Sequence, residues 1–280
     1  MRSREEKEFE KKIRELIRKA RDLEEDSVQR ALSLLAQART EVAAQVAQTE
    51  WQAYRLPQLK GAIDRTMREL GAKMGADLRQ AQLDMWEQGV AMTDLPLRSA
   101  GIYQAMPLID TQLLLVMQDY SVDLVTGLTR DASRKIGLEI SRGLLGQKTP
   151  YDVLQAVGES LDDRGIFPSI ARRAETIVRT EAGRALETAA QARRERAAEV
   201  VPGLKKQWMH GTSRIPRISH LAAHGQVQDV DKPFAVGGEK LMYPRDPAGS
   251  AKNTVNCSCY TIPWKDEWGA ETAERLAAGL

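Results

Sequence analysis

The chain has 280 residues, 42% hydrophobic, 29% charged and 5% aromatic, with a formal net charge of +2. That length can bury a real core as one large domain or two ordinary ones. The near-balance of charge argues against a uniformly basic nucleic-acid binder and leaves only a local basic patch open. The 2 cysteines exclude a disulfide scaffold, and Cys257 and Cys259, one residue apart, would form a strained bridge, so reduced thiols in a cytoplasmic setting are expected.

The N-terminal MRSREEKEFEKKIREL is charged throughout and lacks an apolar h-region, so it does not read as a secretory signal. From Glu5 to about Gln48 the pattern is helical, with Phe9, Ile13, Leu16, Ile17, Ala20 and Leu23 at spacings of three and four. Val28, Leu32, Leu35, Val42 and Val46 continue the stripe after an expected break at Asp26-Ser27, where Ser27 would cap a new start. Pro57 interrupts the pattern, and a second helix carries Ile63, Met67, Leu70, Met74 and Leu78 on one face. Thr93 to Gly101 is expected to be a loop because of its Pro and Gly. No a/d seam persists, which favours a bundle over a long coiled coil.

Two more helices are expected between Ile109 and about Leu145. Asp110 caps the first; the second carries Ile136, Ile140 and Leu144 and ends near Gly146. The run TQLLLVM is the most apolar and is far too short to span a bilayer. Thr149 at an N-cap followed by Pro150 is a strong helix start. Ser169 then opens a long helix that stops before Pro202-Gly203. From Leu204 to Trp264 the texture changes to Gly, Pro, Asn and Asp clusters with short β-type runs such as KKQWM. This reads as a separate small lobe of short strands and long loops, followed by a short helix in TAERLAAGL. The expected class is therefore mainly α, an N-terminal helical bundle with a small C-terminal α+β lobe, divided at 1–165, 166–268 and a tail of 269–280.

Glu181 lies on the apolar stripe Ile170, Ala174, Ile177, Val178, Ala182, Ala185, Ala189. A carboxylate on a buried face must be paired or hydrogen-bonded. Either it sits at an edge and reaches solvent, or it meets a cation from the C-terminal lobe, with Arg214 and Arg217 the candidates. His220 and His224, four apart, would share a helix face. Cys257 and Cys259, two apart, would share a strand face. Two His and two Cys make the count of a tetrahedral zinc site, although zinc knuckles space their cysteines more widely. The alternative is that the cysteines are small buried hydrophobes and the histidines pin loops by hydrogen bonds. Cys257 with His220 would also form a thiol nucleophile and base, but no orienting group or oxyanion hole accompanies them. The deaminase pattern H-x-E with C-x-x-C is absent. The run GGEK at Gly237 to Lys240 lacks the spacing of a phosphate loop. The arginines between Arg172 and Arg196, interleaved with Glu175, Glu187 and Glu195, read as a solvated face of i,i+4 pairs.

The C-terminal motifs are specific in combination. They are IVRTEAGRA (Ile177 to Ala185), Trp208, SRIPRISH (Ser213 to His220), HGQV (His224 to Val227), KPFAVGGEKLMYPRDP (Lys232 to Pro247) and NCSCY (Asn256 to Tyr260). In order and spacing they resemble the Mu F-like minor head proteins of tailed bacteriophages, the phage head morphogenesis family, over about 170 to 264. Arg179, Thr180, Trp208, Gly225 and Asn256 are among the residues that match its motifs. Thr212-Ser213 stand where the family usually has an acidic residue, and the position of His224 is often not histidine in relatives. The resemblance implies a minor structural protein, present in few copies, inside the virion head near the portal and in the host cytoplasm during assembly. Its implied partners are the portal protein and the capsid interior, with double-stranded DNA as a further one, and its implied work is assembly and the packaging or delivery of DNA. Some larger relatives carry an added toxin or enzyme domain, which this chain is expected to lack. No enzyme activity, no membrane span and no cofactor are expected, zinc being the exception left open. The other readings are a DNA-binding escort of the genome and a zinc-dependent or thiol enzyme. Glu181, Arg214, Arg217, His220, Cys257 and Cys259 are expected to form one constellation that holds the small lobe together.

Overall fold

The computed structural model describes residues 4–48, 51–158, 160–162, 164–211 and 215–268. The described chain is mainly α with a small α+β lobe at its C-terminal end. Its contacts divide it into two compact units, each discontinuous in sequence.

Helix α1 spans Arg4–Gln48 without the break expected at Asp26-Ser27. Ser27 is buried inside the helix and its hydroxyl accepts a hydrogen bond from Arg30, so it caps nothing. The apolar stripe passes through this point unbroken, and packing on both sides outweighs the weak helix propensity of one serine. A short 3₁₀ turn, Ala53–Arg55, leads into α2, Leu56–Ser99, with Pro57 in its first turn.

The loop expected at Thr93 to Gly101 is mostly helix, with Pro96 inside α2. Proline removes one N–H near the helix end, where tertiary packing compensates. Leu97 is fully buried, and the buried Thr93 hydroxyl donates to the Ala190 carbonyl at 3.3 Å. The stop comes at Gly101, φ 80, where Ile102 N–H bonds the Leu97 carbonyl at 2.9 Å and Gly101 N–H bonds that of Arg98 at 3.0 Å. This is a Schellman end, which needs a left-handed residue.

The two helices expected next are one, α3, Gln112–Leu144. Val125, Leu128, Ala132, Ile136 and Ile140 are buried at spacings of three and four, so no interruption of the stripe exists to end a helix. The Asp110 carboxylate accepts the Gln112 N–H at 2.8 Å at its start. Helix α4, Pro150–Val157, opens on a full capping box between Thr149 and Asp152. Helix α5, Ile166–Ala198, begins ahead of Ser169. Phe167 and Ile170 are both buried, and presenting both to the core requires the helix to start earlier.

The second unit comprises Glu25–Gln80 and Gln118–Arg179. It is a helical bundle whose core joins Leu35, Val42, Ile63, Met67, Leu78, Val125, Ile136, Phe167 and Val178. The first unit gathers the described residues of Met1–Glu24, Ala81–Met117 and Thr180–Leu280. One of its cores packs Phe9, Ile13 and Ile17 with Met85, Trp86, Ala185, Leu186, Met209 and Ile262.

Within the first unit the small lobe is built from short elements. They are β1 (Lys205–Met209), α6 (Ile218–Ala223), β2 (Val227–Asp229), β3 (Phe234–Val236), β4 (Glu239–Leu241), α7 (Ala251–Thr254) and β5 (Tyr260–Trp264). Strand β1 is the centre of an antiparallel sheet ordered β2-β1-β5, with Gln207 opposite Val227 and Ile262. Strands β3 and β4 form a hairpin turned by Gly237-Gly238, both at positive φ. That is why GGEK is glycine-rich: a two-residue I′ turn needs two left-handed residues. A 3₁₀ turn, Asp266–Trp268, closes the described chain, and the helix expected in TAERLAAGL lies outside the described residues.

Candidate metal centre

The lobe core joins Trp208, Ala223, Phe234, Val236 and Leu241 with Cys257 and Cys259. Both thiols are free and buried. His220, on α6, is buried beside them, its Nδ1 3.5 Å from Cys257 Sγ and 3.4 Å from Cys259 Sγ. The ligand atoms of these three residues all lie within 4.8 Å of one another, a group able to hold a metal ion. Trp208 meets the His220 ring edge-on at 5.9 Å between centroids and is itself met by Phe234 at 5.4 Å, so one side of the imidazole rests on an aromatic pair. His220 Nε2 is buried with no hydrogen-bond partner among the described residues.

The residues that match the family motifs outside this group fix backbone around it. The Thr180 hydroxyl, at the end of an α5 turn, accepts the Asn256 N–H at 3.1 Å. Asn256 is left-handed at φ 52, the turn that delivers Cys257 into the core. Gly225, φ 79, donates its N–H to the Trp208 carbonyl at 2.8 Å, while Trp208 donates to the Gln226 carbonyl at 2.9 Å. Gly211 approaches so closely that a Cβ there would lie 1.8 Å from the Ser258 carbonyl oxygen. Arg179, in the second unit, pairs with Glu175 at 3.0 Å and Glu25 at 2.8 Å.

The expected partners of His220 and Glu181 need correction. His224 does not share the face of His220, because α6 ends at Ala223 and His224 turns extended with ψ 133. Its Nδ1 instead accepts the His210 N–H at 3.0 Å. Glu181 is buried, and its cation is Arg184 on the same helix, whose guanidinium reaches both carboxylate oxygens at 2.7 Å. Burial raises the Glu181 carboxyl above its usual range against the pull of Arg184. Arg217 donates to the Val255 carbonyl at 2.5 Å, which ties α6 to the segment before Cys257. Arg214 lies outside the described residues.

The face between Arg172 and Arg196 is also not the uniformly solvated one expected: Glu187 and Arg194 are fully buried. Thr261 donates to Glu187 from its backbone N–H, 3.2 Å to each oxygen, and from its hydroxyl at 2.5 Å. Arg194 donates to the same hydroxyl and to the Thr261 carbonyl. Lys206 on β1 donates to the Gln191 side chain at 3.2 Å and to the Met242 carbonyl at 2.8 Å. Arg245 is buried too and pairs with Glu24 on α1 at 3.0 Å, its guanidinium occupying the space where a side chain on Gly183 would be. The signal for this buried polar layer was the run of Ala, Gly and Leu between Ala182 and Ala190, small and apolar residues on several faces of a helix turn that is buried nearly all round.

Electrostatics in the thiol pair is asymmetric. A hydrogen bond from Cys259, with help from His220 and the Arg245 charge, holds Cys257 well below the usual thiol range against burial. The same bond, and then burial, push Cys259 well above it. A cleft of about 240 Å³ opens beside the group, lined by His210, Arg217, His220, Asn256, Ser258 and Cys259 among others. Burial lowers the His210 imidazole, and His220 adds to that shift.

Residues 149–262 match the family described as Phage Mu protein F like protein. The NAD(+)–arginine ADP-ribosyltransferase EFV of Enterococcus faecalis is 29% identical over 172 residues, 59% of this chain and 34% of that protein. The uncharacterized protein YqbB of Bacillus subtilis is 37% identical over 98 residues, 34% of this chain and 31% of that protein. The chain thus spans about a third of the length of these curated relatives. No solved structure matches it. No helix among the described residues is long and apolar enough to cross a membrane. The family resembled by the C-terminal motifs is the one whose model residues 149–262 match.

Proposed function

We propose that this chain is a minor head protein of a tailed bacteriophage, a structural component that sits inside the head at the portal and assists assembly and the packaging or delivery of DNA. The observation that carries this reading is the family match over residues 149–262. The chemistry of the matched segment supports it. Thr180, Trp208, Gly225 and Asn256 hold backbone and core in place, and Arg217, His220, Cys257 and Cys259 hold the lobe together from within. Helical residues of the 1–165 segment supply the contact with the portal. Leu115 and Val116 on α3 are exposed, as are Tyr103 and Leu108 in the segment before it, and apolar side chains left in water favour a protein partner. The activity in the name of the Enterococcus faecalis relative stays with that protein, of which this chain covers 34%.

Co-expression with the portal protein of the same phage, followed by size-exclusion chromatography at moderate salt, tests the reading. Co-elution with the portal ring is expected. Elution alone would overturn portal association. Retention of double-stranded DNA that falls steeply with salt would then replace it with an escort of the genome.

A further inference from the structure

Two sulfur atoms lie at nearly equal distances from one imidazole nitrogen, 3.5 and 3.4 Å. Nδ1 carries either one lone pair or one proton, so it satisfies one thiol by hydrogen bonding and not two. An ion at the common focus of the three atoms accounts for all of them. A tetrahedral zinc with Zn–S of about 2.3 Å and Zn–N of about 2.0–2.1 Å places its nitrogen and sulfur ligands roughly 3.5 Å apart. Those are the edges found here. A divalent ion with two thiolates and a neutral imidazole is also electrically neutral, so the site can be buried without a stranded charge.

We propose that His220 Nδ1, Cys257 Sγ and Cys259 Sγ bind one zinc ion per chain, with the fourth coordination position facing the cleft beside His210 and Ser258. The donor set selects the metal: two thiolates and an imidazole suit zinc and are poor ligands for magnesium or calcium. The backbone that carries the two cysteines is held in place. Gly211 packs so closely on Ser258 that a Cβ there would meet the Ser258 carbonyl oxygen, which fixes the residue between the two cysteines. Arg217 and Thr180 fix the peptide between Val255 and Asn256, just ahead of Cys257, one through its carbonyl and the other through its N–H. The ion would join α6 to the segment entering β5, in a lobe whose strands are 3 to 5 residues long and whose own core is small. Lobes of that kind are commonly stapled by a metal or a disulfide, and Cys257 and Cys259 are free thiols. The proposal goes beyond the head-protein reading and stands or falls separately from it.

The test starts from the unsubstituted full chain, purified without chelator from zinc-supplemented cells. Elemental analysis is expected to give one zinc per chain. Exchange for cobalt is expected to give a thiolate-to-cobalt charge-transfer band together with the intense visible absorption of a tetrahedral site. Cys257→Ser and Cys259→Ser are expected to abolish the metal and the band, and His224→Ala to keep both. A cysteine variant that fails to fold loses metal for that reason alone, so the cobalt spectrum of the unsubstituted chain decides. A chain that binds no zinc on dialysis against it, or a cobalt form without thiolate charge transfer, would overturn the proposal. So would loss of metal in His224→Ala as complete as in Cys257→Ser.

Discussion

At Glu187, burial and hydrogen bonding pull the carboxyl in opposite directions. Burial wins over the Arg194 charge and the Thr261 bonds, and the group is pushed up to about 7. Its folded value then lies above its unfolded value, so between about 4.5 and about 7 the folded chain holds a proton that the unfolded chain has released. The contribution to stability is full at the acid end of that window and is lost as pH rises through it. Lys206 works on the other side of neutrality. Burial, with Arg194 beside it, lowers its ammonium to about 7. There the unfolded chain binds the extra proton, so stability rises with pH above about 7. Glu187→Gln is expected to remove the acid limb, on the order of 3 kcal/mol across the window. Urea unfolding of both proteins at about pH 5 and about pH 7 reads it; parallel pH dependence in the two would refute the assignment. For Glu181→Ala the loss of its buried bond to Arg184 is expected to cost about 3 kcal/mol, seen as a lower Tm. The rarity of His and Cys marked His220, Cys257 and Cys259, which the structure brings together, and also His224, which it does not; the apolar stripe marked Glu181 as buried. The partner of Glu181 was not legible, because a cation three residues away on the same helix competes with any distant one and only the rotamers decide.

Elements were legible where the chain carries its own stop. Gly146, φ 73, ends α3 with Gln147 N–H on the Arg142 carbonyl at 3.0 Å, and Thr149-Pro150 starts α4 where expected. They were illegible where a weak breaker is overruled by packing, as at Ser27 and Pro96. The box at Thr149 allows a local test. Thr149→Ala removes the acceptor of the Asp152 N–H and is expected to cost about 1 kcal/mol in thermal or denaturant melts. The approach of α2 to α5 allows a harsher one. A Cβ on Gly89 would lie 2.2 Å from the Leu186 carbonyl oxygen and 2.9 Å from Ala189 Cβ. Backbone cannot yield as a side chain tip does, so Gly89→Ala is expected to destabilise by about 1–3 kcal/mol in spite of its better helix propensity. A neutral or stabilising effect would mean that the two helices do not pack at this glycine.

At the scale of the molecule, composition and periodicity gave the mainly helical class and the change of texture after Pro202 located the lobe. What they could not give is which distant stretches share a core, since a helix stripe states that a face is buried and not by what. Residues 4–24, 81–117 and the lobe belong to one compact unit, and the Glu24–Arg245 pair spans a sequence separation of 221 residues. This has a consequence for how the protein is made. At about 5–20 residues per second, a ribosome needs roughly 10–40 seconds to reach Arg245 after it has finished Glu24. Throughout that interval Phe9, Ile13, Leu16 and Ile17 have no completed core to enter, and an apolar helix face waits in the cytosol. The nascent chain therefore carries that face uncovered until the segment around Arg245 has emerged.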